Sequence, residues 1–206
     1  MRFDKFTLKA QEAIQQAQKN SEQLEHQTTE VEHLLLALLE QTDGIILPIL
    51  NKLGVSSVLI KDKLQKHLQS VPQVYGGGLG ERYISPRLKN VFDQAFKEAE
   101  RLKDDYVSTE HLLIAIVEGK KGNASELMNS HGVNRDNLFK ALVEIRGNQR
   151  VTDPNPEDKY QALERFGRDL TELARRSKLD PVIGRYDEER RVMQVLSRRT
   201  KNNPVL

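Results

Sequence analysis

The segment EHLLLALLE that opens at Glu32 returns as EHLLIAIVE at Glu110, 78 residues later. The echo holds at that one offset well beyond the nonapeptide. Thr7-Leu-Lys faces Ser85-Pro-Arg, Ala17 matches Ala95, and Leu24 matches Leu102. Asn51, Gly54, Val55 and Leu64 match Asn129, Gly132, Val133 and Leu142. No insertion is needed from about residue 7 to about residue 64. A gap-free register of this length marks an internal duplication, so whatever the first copy folds into, the second must fold into as well.

Each copy reads as helical. In the second, Leu88, Val91, Phe92, Ala95, Phe96, Ala99 and Leu102 recur at three- and four-residue steps, which puts them on one helix face. Ser85 followed by Pro86 is a start signal: Ser accepts from an orphan N–H, and Pro loses nothing at the first helical position. Thr7 caps the corresponding helix of copy one. The EHLL segments open a second helix, with Thr29 and Glu32 at capping-box spacing in copy one and Ser108 as the cap in copy two. A carboxylate then lies in each first turn, where the helix dipole favours it. Gly54 and Gly132 follow short helical stretches as left-handed caps would. Ser57 opens a further helix to about Gln69, repeated by residues 134–146. The fold class expected for residues 1–146 is therefore all-α: two helical repeats, about 1–72 and 80–146, related by an approximate twofold axis. The connector between them contains GGGLG, but no Lys-Ser/Thr follows, and it reads as a flexible linker rather than a phosphate loop.

The copies differ in bulk. Ala10, Ala13, Ile14 and Gln18 align with Leu88, Val91, Phe92 and Phe96. One reading puts the extra apolar volume of copy two in the core between the repeats. The other leaves part of it exposed as an apolar groove for a partner.

Few residues suggest bond-making chemistry. Cysteine is absent, which removes disulfides, thiol nucleophiles and Cys-ligated zinc. His33 and His111 each follow a Glu, but neither has a second His at metal-binding spacing, and both read as first-turn residues making local hydrogen bonds. No GxSxG element occurs. Glu32 and Glu110, related by the duplication, form a symmetric carboxylate pair that suits recognition of a cation as well as helix-start electrostatics. A formal net charge of +2, from 32 basic and 30 acidic residues, argues against a nucleic-acid or lipid surface. The first ten residues hold no apolar signal core, and no apolar run approaches the ~20 residues of a membrane span. The expectation is a soluble, cytoplasmic protein with no nucleic-acid or membrane partner.

GNQRVTDPNPEDK reads as a linker over 147–158. A second region, 159–206, follows. Its Leu163, Phe166, Leu170 and Leu173 are spaced for a helix, and Asp187 opens another with Val192, Val195 and Leu196. The words LDPVIGR and VLSRRTKNNPVL closely resemble the opening of the first AAA+ nucleotide-binding domain of the Clp unfoldases. The paired repeats, with EHLLLALL and EHLLIAIV in place, resemble the Clp N-terminal domain. EDKYQALERFGRDLTELAR is most similar to the ClpB-type disaggregase branch. The resemblance spans essentially the whole chain. It departs at GRYDEERR, where Glu189 stands at a position usually apolar.

The resemblance implies a partial AAA+ α/β segment at 159–206. Val182 and Ile183 match positions that line the adenine pocket of the parent. ATP and Mg²⁺ serve the full-length parent, whose P-loop, GxxxxGK[ST], does not occur in these 206 residues. The chain itself is thus expected to bind no cofactor, to have no ATPase activity and to be monomeric, with too little core in 159–206 for full order. The parent would be a homohexameric ATPase cooperating with the DnaK chaperone system. The N-domain would bind unfolded or aggregated polypeptide and deliver it for threading. Thr7, Phe92, Asp104, Glu110 and His111 match family positions in or beside that binding surface, and Phe96 shares the apolar face of Phe92; these six are the expected substrate-binding residues. The alternative is an adaptor- or phosphoarginine-binding N-domain of the ClpC/ClpA type, with Glu32 and Glu110 holding the guanidinium.

Overall fold

Each helix of the second repeat lies 78 residues after one of the first, in a computed structural model that describes residues 3–73, 83–119, 122–147, 149–156, 170–179 and 183–204. Helix α1 spans Leu8–Gln23, α2 Val31–Glu40, α3 Ile46–Lys52 and α4 Ser57–Ser70. Their counterparts are α5 (Pro86–Arg101), α6 (Thr109–Val117), α7 (Asn123–Ser130) and α8 (Arg135–Arg146). The start signals read from sequence hold: Thr7 accepts from the Ala10 N–H and Ser85 from that of Leu88. Gly54 and Gly132 take φ of +69° and +77°. One cap differs. The N-cap of α2 is Glu30, not Thr29, and Glu30 is the register mate of Ser108. Thr29 is drawn out of the helix because its backbone is extended and paired, and its hydroxyl meets Ser21 Oγ at 2.9 Å.

The repeats are tied by exchanged ends. Strand β1 (Thr28–Thr29), just before α2, pairs in parallel with β2 (Tyr83–Ile84), just before α5 of the other repeat. Phe6, just before α1, bridges Val107, just before α6. Thr7 N–H donates to Val107 O at 2.9 Å, and its duplicate, Ser85 N–H, donates to Thr29 O at 3.1 Å. Helices α2 and α6 are buried along most of their lengths and pack on one another at the centre; α3 packs on α8, and α7 on α4. These contacts form one continuous core across both repeats.

The exchange accounts for the surplus volume on α5. Phe6 belongs to copy one by sequence but sits against copy two, with its ring 5.9 Å from Phe92 and 5.1 Å from Phe96, both edge-on. Leu88, Val91 and Phe92 are buried and Phe96 is half-buried. At Phe92 the second reading of that surplus does not hold, because Phe6 covers the ring.

The expected linker is in part docked. Val151 is fully buried. Its N–H donates to Asp104 Oδ1 (2.8 Å), and its carbonyl accepts from Asp105 N–H (2.9 Å). Arg150 donates to the Lys103 carbonyl. Pro154 O accepts from Leu8 N–H at 2.8 Å, one of the orphan donors at the start of α1. The register mate of Leu8 is Pro86, which has no N–H to satisfy. This strap, residues 149–156, thus supplies copy one with an acceptor that copy two does without.

The chain divides into two units between Ala162 and Leu163. In the second, α9 (Leu170–Arg175) and α10 (Tyr186–Leu196) are described, and none of the described residues is buried. Glu189 is half-buried on the same side of α10 as Val192 and Val195, so the departure from the family pattern falls on the helix's inward face. The GGGLG segment and Val182 lie outside the described residues, and Ile183 is exposed.

Because Phe92 fills core rather than surface, Phe92→Ala should lower the unfolding free energy by about 3–4 kcal/mol in denaturant titrations. A loss under about 1 kcal/mol would contradict its placement.

Candidate functional site

The start of each buried central helix carries a carboxylate, and each carboxylate already holds a guanidinium of the same chain. Glu32, on α2, accepts from Arg87 Nη2 at 2.9 Å and from the Ala124 N–H at 3.3 Å. The guanidinium of Arg87 fills the space that a Cβ at Gly122 would need, and Gly122 takes φ +149°. Burial, the largest single influence, would raise the Glu32 carboxyl's pKa, but Arg87 and the backbone N–H donors of Glu32 and Ala124 together hold it below the usual value. Glu110, on α6, meets Arg146 Nη1 at 3.4 Å. Arg146, at the end of α8, also binds Asp104, which accepts from His111 Nε2 at 3.0 Å and from the Val151 N–H. Burial opposes ionisation of Asp104 as well, and His111, Arg146 and the Val151 N–H together outweigh it, so its pKa is lowered.

The two centres share a plan and differ in chemistry. His33 and His111 each close a capping box: Nδ1 accepts from the Glu30 N–H in one and the Ser108 N–H in the other, both at 2.9 Å. That leaves Nε2 as the donor. His111 donates to Asp104; His33 donates to Nδ1 of His26, the register mate of Asp104, at 2.9 Å. Two buried imidazoles then face each other. Burial, reinforced by the neighbouring His26, holds the pKa of His33 down to about 4, and burial lowers that of His26 too.

Of the six expected substrate-binding residues, Thr7, Phe92, Glu110 and His111 are buried, Asp104 buries its side chain, and Phe96 is half-buried. Asp104, Glu110 and His111 come together around Arg146 under the strap. Thr7 caps α1, and Phe92 and Phe96 meet Phe6. Glu32 and Glu110 each hold a guanidinium of the chain's own, and an external one would have to displace Arg87 or Arg146. Among the described residues no group of three His, Asp or Glu side chains is placed to hold a metal ion.

Open surface lies further round α5. A groove of about 900 Å³ runs between α5 and α6, over Val91, Ala115 and Ile116, with Asn90 and Gln94 on its rim. Its register mate between α1 and α2 is only about 350 Å³. There Gln41 reaches across, its Nε2 donating to Lys9 O at 2.8 Å. The residue at the same place in copy two is Gly119, which has no side chain to cross with. The signal was present in the alignment, as Gln against Gly at one register position.

A family model described as Clp repeat (R) N-terminal domain matches residues 5–131. The chain belongs to this Clp N-terminal repeat family. Over all of its length it is 45% identical to the "Chaperone protein ClpB" of Bacillus cereus, covering 24% of that protein. Over 97% of its length it is 46% identical to that of Bdellovibrio bacteriovorus, covering 23%. It therefore spans about a quarter of the curated relatives it matches. Among solved structures, the Hsp104 N-terminal domain from Candida albicans matches 74% of this chain and 98% of its own, with a TM-score of 0.65 at 21% identity. The N-terminal domain of the E. coli ClpV1 ATPase matches 66% of this chain and 83% of its own, at 0.56 and 20%. These structures share the fold of this chain, and residues 5–131 form a Clp N-terminal repeat domain. Among the described residues no helix is long and apolar enough to cross a membrane.

Two predictions follow from the buried centres of this Clp N-domain. The pKa of His33 is lower in the folded state than in the unfolded chain, so the unfolded state takes the proton first. Stability should be full above about pH 6.5 and fall by on the order of 3 kcal/mol as pH drops toward 4. His33→Gln keeps a capping-box acceptor and should flatten most of that slope in denaturant titrations between pH 7 and 4.5; an unchanged slope would contradict the assignment. Asp104→Ala should cost about 3 kcal/mol, because Arg146 and His111 lose a buried partner and Arg146 keeps only the longer contact to Glu110, and should speed hydrogen exchange at the Val151 amide. Unaltered exchange there would mean Asp104 does not hold the strap.

Proposed function

We propose that this chain is the substrate-engaging N-terminal module of an ATP-dependent disaggregating chaperone. It binds unfolded or aggregated polypeptide in the groove between α5 and α6 for threading by a motor. The observation that carries this reading is that groove: a wide cleft of mixed polar and apolar lining in one repeat, narrowed in the other where Gln41 crosses it. The likeness to ClpB chaperones over the full chain supports it. Residues 159–206 lead into the first AAA+ domain of the parent, where Val182 and Ile183 help line the adenine pocket. ATP and Mg²⁺ belong to that motor, and the parent works as a cytoplasmic homohexamer with the DnaK system.

The test is a nucleotide-free titration against a fluorescently labelled polypeptide, reduced and alkylated so that it cannot refold, with a folded protein as control. Weak binding selective for the unfolded partner is expected. Gly119→Gln, which places in copy two the residue that crosses the groove in copy one, should weaken binding several-fold. An added Cβ at 119 would meet Ile116 O at 3.0 Å, so its thermal unfolding is recorded alongside. No binding by the natural chain, or full binding by a folded Gly119→Gln variant, would count against this groove.

A further inference from the structure

The duplication supplies an internal control for what the groove recognises. On α1, the mates of Asn90 and Gln94 are Glu12 and Gln16. Both are committed locally: Glu12 accepts from Lys9 Nζ at 3.0 Å, and Gln16 Nε2 donates to Asn20 Oδ1 at 2.8 Å. Asn90 and Gln94 pair with no described residue, and both are exposed at the rim of the open groove. Each carboxamide offers a donor and an acceptor, the complement of a peptide group.

Their spacing fits one kind of occupant. Residues four apart on an α-helix rise about 6 Å along its axis. Backbone groups on one edge of an extended chain recur every second residue, about 6.6–6.8 Å apart. A segment lying along α5 would thus meet the two carboxamides with successive peptide groups of the same edge. The groove's charges are already used: Arg87 by Glu30 and Glu32, and Glu118 by Arg135, which Glu98 also holds. Among the described lining residues, no charge is left without an ion-pair partner to select a particular side chain.

We propose that the groove reads main chain rather than side chains. It takes a segment of unfolded polypeptide in extended conformation, its peptide groups paired with Asn90 and Gln94 and its smaller apolar side chains over Ala115 and Ile116. Recognition is then tolerant of sequence and selective for chain that has lost its own secondary structure. This deepens the polypeptide-binding reading above and rests on it.

The discriminating variant is the double substitution Asn90→Leu with Gln94→Leu. It enlarges the apolar surface while removing both carboxamides, at exposed positions where folding is least affected. The probes are the same alkylated polypeptide and a short uncharged peptide, made with and without methyl groups on alternate backbone nitrogens. Main-chain recognition predicts about tenfold weaker binding by the variant. It also predicts that backbone methylation weakens binding to the natural chain but adds little in the variant. Equal or tighter binding by the variant overturns the proposal and leaves an apolar groove, with polypeptide binding intact. A natural chain that binds neither probe overturns the polypeptide-binding reading itself.

Discussion

The reciprocal bond between the two repeats, Thr7 N–H to Val107 O and Ser85 N–H to Thr29 O, is the constraint on which the structure turns. Each first helix begins on the other repeat's backbone. The N-cap hydroxyls of Thr7 and Ser85 turn inward to satisfy their own helices, so backbone and side chain of one residue serve two repeats at once. Phe6 is carried across in the same way and completes the core of copy two. Neither half can bury its apolar faces alone, which is the usual economy of a repeat fold reduced here to two units.

Symmetry in the scaffold coexists with divergence at a few register positions around the groove, the buried centres and the strap. The caps, the central helices and the left-handed glycines recur at the same register. His26 against Asp104, Leu68 against Arg146, Leu8 against Pro86 and Gln41 against Gly119 do not match. Each mismatch has a local consequence. His26 makes an imidazole pair where Asp104 makes an acid centre. Arg146 and Asp104 recruit the strap. Gly119 leaves a groove open. The duplication thus supplies a common frame, and the local differences between the repeats arise where the copies disagree.

The fold was readable because it rests on periodicity, cap chemistry and one constant offset, all local in sequence. The cap at Glu30 was misplaced at Thr29 because strand pairing with Ile84, a contact far away in sequence, outranked the capping-box pattern. The fate of the surplus apolar volume on α5 depended on Phe6, which lies outside the aligned stretch. The docked strap looked like linker because its Pro, Asn and Asp composition reports turn-forming tendency, not whether a Val among them finds a core. The carboxylate pair was recognised, but its occupancy by Arg87 and Arg146 was not, since neither arginine has a mate of the same size and charge delocalisation in the other copy.

The central claim is that one face of a pseudo-symmetric molecule binds polypeptide while its duplicate does not. The most direct measurement is an amide-resolved NMR titration of the whole chain with the alkylated unfolded polypeptide. The account predicts shifts concentrated at Asn90, Gln94, Ala115 and Gly119, with their mates Glu12, Gln16, Ala37 and Gln41 unmoved. Equal shifts on both faces, or shifts confined to Asp104, Arg146 and Val151, would contradict it.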